Sequence, residues 1–443
     1  MISLTDESNI MVKKYYEISE QLNKNLIIKN NNKKKDVYNS LQKEIFYLLN
    51  NIYNKIHEKF LLKHYYREIY NKNSEINFAH IKNIYNIHFK DNRYVDDNIK
   101  KYIKDNIGTI LEYKIYNPIK IIITFIIYSK KICLYEYDEL VKNILTQIEV
   151  INIMTKNKSC NKNGIYINIF MTPFKKKIYK DDIVLGAKNV NSGFCYGCNS
   201  KAEIIIFRKE ELFKVLTHEL LHTYDVGIFI DKYNNINNIL IEKFNIHGNS
   251  KKNVKLLESI VEFWALFFNN AFFSYINLRN LKMNNNKNKN INNKIYEDDV
   301  INYKNIFEIN MKLEILHGLM QITKILNFNN MDYTDLILDK NKVKIGKIYR
   351  ENSHILSYYI IKLYLLYDYK NFININIEGD NGILFKNTDD VNNINAFINY
   401  IISMMTNKSL LDELNKIKLY YNSQKKTNNY FFNNLKMSVI ELK

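Results

Sequence analysis

The chain has 443 residues, enough to bury a sizeable core and to divide into two or three domains. Hydrophobic residues make up 46%, which excludes wholesale disorder, and no run of eighteen apolar residues occurs, so no membrane span is expected. The formal net charge of +18 would suit nucleic acid or an anionic surface, but the lysines are spread along the chain instead of forming a block, so a nucleic-acid partner is not expected.

Only 11 Gly and 2 Pro occur, which favours long helices. The abundance of Ile, Tyr, Asn and Lys is what AT-rich codons specify and reports on the genome more than on the function. The opening residues Met1 to Glu7 lack the charged and apolar regions of a secretory signal. With four cysteines, Cys133, Cys160, Cys195 and Cys198, this points to an intracellular, reducing compartment and argues against a disulfide framework.

In chain order, residues 8–29 and 37–71 read as helices separated by an Asn/Lys tract at 30–35, the second with Leu41, Ile45, Leu48, Leu49 and Ile52 at helical spacing. Residues 75–117 are mixed and carry no recognisable chemistry. Ile119 to Ile132 is β-branched and fits either a buried strand or a helix. Tyr137 to Thr155 reads as an amphipathic helix, Ile165 to Met171 as a strand, Val184 to Phe194 as a short extended stretch, and Ala202 to Arg208 as a second firm strand. From Lys209 the period changes to helical, with Glu210 and Glu211 in the first turn, where acids complement the helix dipole. A polar loop at 232–238 leads to a long apolar helix over Ser250 to Leu278. The Asn/Lys tract at 283–294 reads as a low-complexity insertion, and the remainder is mainly helical.

The chemistry concentrates in His218-Glu219-Leu220-Leu221-His222. Residues four apart share a helix face, so His218 and His222 can bind one Zn²⁺, and Glu219 can reach a water beside it as general base. Two histidines at the polar boundary of a helix would give the same spacing without a metal. A hydrolytic zinc site needs a third protein ligand and an open position. Glu258 and Glu262 supply candidates, because two carboxylates one turn apart on so apolar a helix need partners. One would bind the metal and the other would accept an imidazole N–H; solvated glutamates at the edge of a core helix are the alternative. His247 is a rival third ligand. Cys195 and Cys198 form a lone CxxC, which supplies too few ligands for a second zinc and lacks the surroundings of a redox pair.

His-Glu-Leu-Leu-His followed about 36 residues on by Glu258-x-x-x-Glu262 resembles the gluzincin group of zinc metallopeptidases. The resemblance implies Glu258 as third ligand, Glu262 as the group that orients a ligand, and one zinc per chain. Asp225, three residues after His222, resembles the neprilysin-like form, where it would support an imidazole, although it could equally face solvent. No Gly-x-x-His follows His222, so the metzincin pattern is not met. Gluzincins also use a downstream Tyr or His to stabilise the oxyanion. His354 and Tyr358, four apart, are the candidates here, with His317 behind them.

The stretch Asn191-Ser192-Gly193-Phe194 and Ile204 to Leu216 is also similar to metallopeptidases encoded by large DNA viruses. That implies a viral source and a host-cytoplasmic or virion location. Together the resemblances cover about residues 140–270, under a third of the chain.

The expected fold is α+β. A zincin-like core, a small mixed sheet with an edge strand plus the HExxH helix, would occupy 116–248. A mainly α-helical N-terminal region would span 1–115, and a helical C-terminal lobe 249–443. The expected activity is endopeptidase hydrolysis of a peptide or protein substrate lying extended against an edge strand, with Ala187 to Phe194 as the candidate edge. A zincin-like binding protein without turnover, or a basic nucleic-acid or membrane-surface binder, are the competing readings.

Overall fold

The computed structural model describes residues 4–22, 37–61, 65–70, 75–106, 108–116, 119–155, 160–226, 235–285, 296–337, 348–376, 391–424 and 429–442. The tract at 30–35 lies outside them, as do most of the insertion at 283–294 and the last residues of the helix expected over 8–29.

The first half of the chain runs α1 (Asp6–Gln21), α2 (Val37–Leu61), β1 (Tyr66–Tyr70), α3 (Glu75–His88), α4 (Asp97–Asp105), β2 (Thr109–Ile115), β3 (Ile121–Ile127), α5 (Leu134–Thr155), β4 (Ile165–Phe170), β5 (Leu185–Gly186), α6 (Ala187–Val190), β6 (Gly193–Cys195), β7 (Ala202–Ile206) and α7 (Leu212–Thr223). The second half is α8 (Asn235–Lys243), a 3₁₀ turn (Gly248–Asn253), α9 (Leu256–Asn285), α10 (Glu297–Phe328), α11 (Tyr333–Ile337), β8 (Glu351–Asn352), a π-helical turn (Leu356–Ile361), α12 (Lys362–Tyr367), α13 (Tyr369–Asn376), α14 (Val391–Met405), α15 (Lys408–Gln424) and α16 (Tyr430–Asn433). The protein is thus mixed α+β, as expected at that level.

Two compact units share these elements. One comprises residues 44–176 and 191–226, the other residues 1–43, 177–190 and 227–443. The first is built on a six-stranded sheet of order β1-β2-β3-β4-β7-β6, parallel at β3/β4 and β4/β7 and antiparallel elsewhere. The ambiguous Ile-rich run forms a central strand, β3. Its β-branched side chains suit a pleated surface covered on both faces, where alternation is lost and periodicity carries no signal. Ile110, Ile126, Phe170 and Ile205 pack one face of the sheet against Ile81, Ile84, Ile99 and Ile103 of α3 and α4. On the other face Tyr137 of α5 meets Phe125 edge-on at 5.0 Å, and α7 packs against β6 and β7.

Two expectations are corrected here. The helix read over 37–71 stops at Leu61, and Tyr66–Tyr70 forms strand β1 paired with β2, so the N-terminal region expected to be helical supplies two strands of the sheet. The first half of the candidate edge, Ala187–Val190, is a helical turn, and only β6 lies on the sheet edge.

The second unit is almost wholly helical. Its axis is α9, whose Ile260, Val261, Phe263, Trp264, Ala265, Leu266 and Phe267 are all buried, so the helix is enclosed on every side, with Glu262, Asn269 and Asn270 among its buried polar residues. Each such large side chain contributes on the order of 1.5–3 kcal/mol. By length and composition Leu256–Met283 is apolar enough to cross a membrane, and here 94% of an eighteen-residue apolar window within it is buried in the protein.

Candidate metal centre

The motif helix is set by a buried ionic turn. Between β7 and α7 the chain passes through Glu211, the N-cap, held in the left-handed region at φ 57° and making no side-chain cap bond. The two glutamates therefore do not serve the helix dipole as expected. Glu211 pairs with the buried Lys176 at 2.8 Å, and Glu210 accepts the Lys176 backbone N–H at 2.5 Å. The fully buried Arg208 fixes the approach, donating from Nε to the Asn191 carbonyl and from a guanidinium nitrogen to that of Lys175, both at 2.8 Å. Farther along, Thr217 bonds Gln147 of α5. The turn's charges are desolvated but paired, the condition under which buried ions are tolerated.

On α7 so anchored, His218 and Glu219 are buried and His222 is half-buried. The two Nε2 atoms lie 3.2 Å apart. Two nitrogens ~2.0–2.1 Å from a tetrahedral zinc would sit about 3.3 Å apart, so a shared ion would fit this spacing. Glu258 completes the set: one ligand atom from each of His218, His222 and Glu258 lies within 4.8 Å of the others. Two imidazoles and one carboxylate are a donor set that zinc accepts, and three ligands leave a position open.

Of the two carboxylates on α9 it is Glu258 that joins the group; Glu262, one turn on, is 1% exposed. His247 does not join either. It is exposed and pairs with Asn245 at 2.9 Å, so the rival-ligand reading has no support among the described residues. Asp225 ends α7 in a left-handed turn at φ 64°, its N–H returning to the His222 carbonyl at 3.1 Å; Asp is among the few residues that tolerate this region.

His354 and Tyr358 come together, their rings edge-on at 5.8 Å. His354 Nδ1 lies 2.6 Å from the Asn253 carbonyl and must donate to it, so the neutral ring presents Nε2 as an acceptor. Only as imidazolium would it donate to an oxyanion, which leaves Tyr358 the better-suited donor of the pair. His317 is occupied elsewhere, with Tyr15 Oη and the Lys436 carbonyl each at 2.9 Å.

Two features escape a reading by motif. Gly193 of β6 lies so close to the motif helix that an added Cβ would stand 3.2 Å from Glu219 Oε1. A glycine inside a strand marks such close backbone approach, and that was the available signal. Cys198 forms a disulfide with Cys160, which removes the CxxC pairing, and Cys195 instead points its thiol at the Glu219 carbonyl at 3.5 Å. The cysteine count argued against a disulfide framework; one bridge is nevertheless closed across 38 residues.

No family model, no curated protein and no solved structure matches this chain.

Proposed function

We propose that the chain is a zinc-dependent metallopeptidase of gluzincin type with a zincin-like core. The observation that carries the reading is the convergence of His218, His222 and Glu258 ligand atoms within 4.8 Å, with Glu219 on the same helix. Zinc bound by these three residues would act as a Lewis acid and make a water acidic near neutral pH. Glu219 would take the proton of the attacking water and return it to the leaving amine. Glu262 would orient a ligand, and Asp225 would support the second imidazole. His354 and Tyr358 are the proposed donors to the oxyanion, Tyr358 foremost because its hydroxyl donates without a change of charge.

The substrate would be an extended peptide. β6 ends the sheet, antiparallel to β7, and its Gly193 abuts the Glu219 carboxylate, so a strand added at that edge would lie beside the general base. Peptide turnover by Glu219→Gln should fall by at least ~10³-fold while bound zinc is unchanged, because the base is lost and no ligand is touched. Wild-type turnover in that variant would overturn the assignment. A chain that holds zinc yet cleaves no member of a peptide library would instead be a binding protein of the same fold.

A further inference from the structure

The sheet face that packs against α3 changes character along its strands. Ile110, Ile126, Phe170 and Ile205, one from each of β2, β3, β4 and β7, pack there against α3 and α4. Two residues away on the same strands, and so on the same face, stand Glu112, Thr124, Asn168 and Glu203. Glu112 lies opposite Thr124, and Thr124 opposite Asn168, so these three form a polar row across the strands. A sheet face roofed by a helix is ordinarily apolar, and polar groups under it are costly unless they are bonded. Here a cavity of about 400 Å³ replaces the core packing. All four polar residues, His88 and Lys201 stand in its wall, and Ile84, Ile87, Ile122 and Ile167 form its apolar part. That volume lies in the range of small-molecule sites, roughly 300–1,000 Å³. The cavity belongs wholly to the sheet-bearing unit, on the sheet face away from α7.

The charges in this wall are already balanced. Lys114 pairs with Glu112 at 3.1 Å, and Lys201 pairs with Glu203. An ionic ligand would have to displace a lysine, whereas an uncharged one need not. The hydrogen-bonding capacity, by contrast, is not used up. The half-buried Asn168 amide bonds nothing among the described residues, which leaves two donor hydrogens and an acceptor oxygen. His88 Nε2 and Glu203 Oε2 stand 3.8 Å apart, too far for a direct hydrogen bond. The other ring nitrogen, Nδ1, is engaged by the Tyr196 hydroxyl at 2.9 Å. Burial lowers the His88 imidazolium against the pull of Glu203, so the ring is neutral near pH 7 and no ion pair closes the gap. With Tyr196 donating to Nδ1, Nε2 carries the proton. A hydroxyl group both accepts and donates, so it can take the Nε2 proton's bond and give its own to the carboxylate.

We propose that this cavity binds a small uncharged polyol, a ring bearing adjacent hydroxyl groups. Asn168 and the His88–Glu203 pair hold the hydroxyls, and the isoleucines take a carbon face of the ring. A sugar and the ribose of a nucleoside share this chemistry. The site is independent of the metal group and of the activity proposed for it.

The test uses the full chain and two panels, methyl glycosides of the common hexoses and unphosphorylated nucleosides, screened by saturation-transfer NMR. The panel that binds separates the two sources. Isothermal titration of a binding compound should give one site per chain, and the same compound with its hydroxyls O-methylated should not bind. Asn168→Leu removes the amide at similar volume and should weaken binding at least tenfold. No binding from either panel overturns the proposal, as does equal binding of the methylated compound or wild-type affinity in Asn168→Leu. If Asn168→Leu does not fold, hydrogen exchange of the wild-type chain locates the site. A saturating compound should slow exchange of α3 amides at least twofold and leave α9 amides unchanged; unchanged α3 amides overturn the proposal.

Discussion

Replacing Gly193 with alanine adds one methyl group at the place where β6 meets the motif helix. The new Cβ would stand 3.0 Å from Val215 Cγ1, 3.1 Å from the Ile205 carbonyl oxygen and 3.2 Å from Glu219 Oε1. The Val215 methyl and the Glu219 carboxylate can give by a few tenths of an ångström. The Ile205 oxygen cannot, because it belongs to the backbone of the paired strand β7. Overpacking of this kind costs roughly 1–3 kcal/mol, and the strain falls on the side chain proposed as general base. A displacement approaching 1 Å at a reacting group lowers turnover by about 10²-fold, so a loss of ~10–100-fold in kcat is expected. None of the proposed ligand residues is among the three atoms nearest the methyl group, so zinc content by mass spectrometry should remain at the wild-type value. The assay is cleavage of a quenched fluorescent peptide, with zinc measured on the same preparation. Wild-type kcat in Gly193→Ala would refute the reasoning that β6 positions Glu219.

Three further predictions are independent of that contact. Burial raises the Glu351 carboxyl to about 8 although Tyr349 and the Leu356 N–H bond it, so it is protonated in the native state where the unfolded chain would have lost its proton. Its contribution to stability is therefore complete below about pH 4.5 and falls as pH rises, by up to ~1.4 kcal/mol per unit, until pH passes about 8. Chemical denaturation across that range should show the slope in wild type and a smaller one in Glu351→Gln. Cys160→Ser should destabilise the sheet-bearing unit by about 3–4 kcal/mol, given the 38-residue separation that the bridge closes; an unchanged denaturation midpoint would show that the bridge contributes nothing. Glu258→Ala should weaken zinc binding by at least ~100-fold and Glu262→Gln by about 10–100-fold, as ligand and ligand-orienting groups respectively; competition with a chromogenic chelator orders the two, and the reverse order would exchange their roles.

The motif was legible because its chemistry depends on one helix: a spacing of four fixes His218 and His222 on a common face wherever the helix lies. The proposed third ligand was narrowed to two glutamates by the apolar company they keep, and choosing between them required coordinates. The strands at 165–170 and 202–206 were readable from β-branched runs bounded by turns. β3 was not, because burial on both faces erases alternation. β1 was hidden in a region rich in helix-compatible residues, its pairing being decided by β2 about forty residues away. Glu210 and Glu211 read as ordinary first-turn acids, and nothing local reveals that Lys176, more than thirty residues earlier, draws them inward.

The central claim is that His218, His222 and Glu258 hold a catalytic zinc. Metal analysis of the purified chain, paired with peptide cleavage before and after chelation, tests it most directly. The account predicts one zinc per chain, loss of cleavage when the metal is stripped, and recovery when one equivalent of zinc is returned. A preparation that binds no zinc when offered it, or that cleaves peptide equally well after stripping, would contradict it.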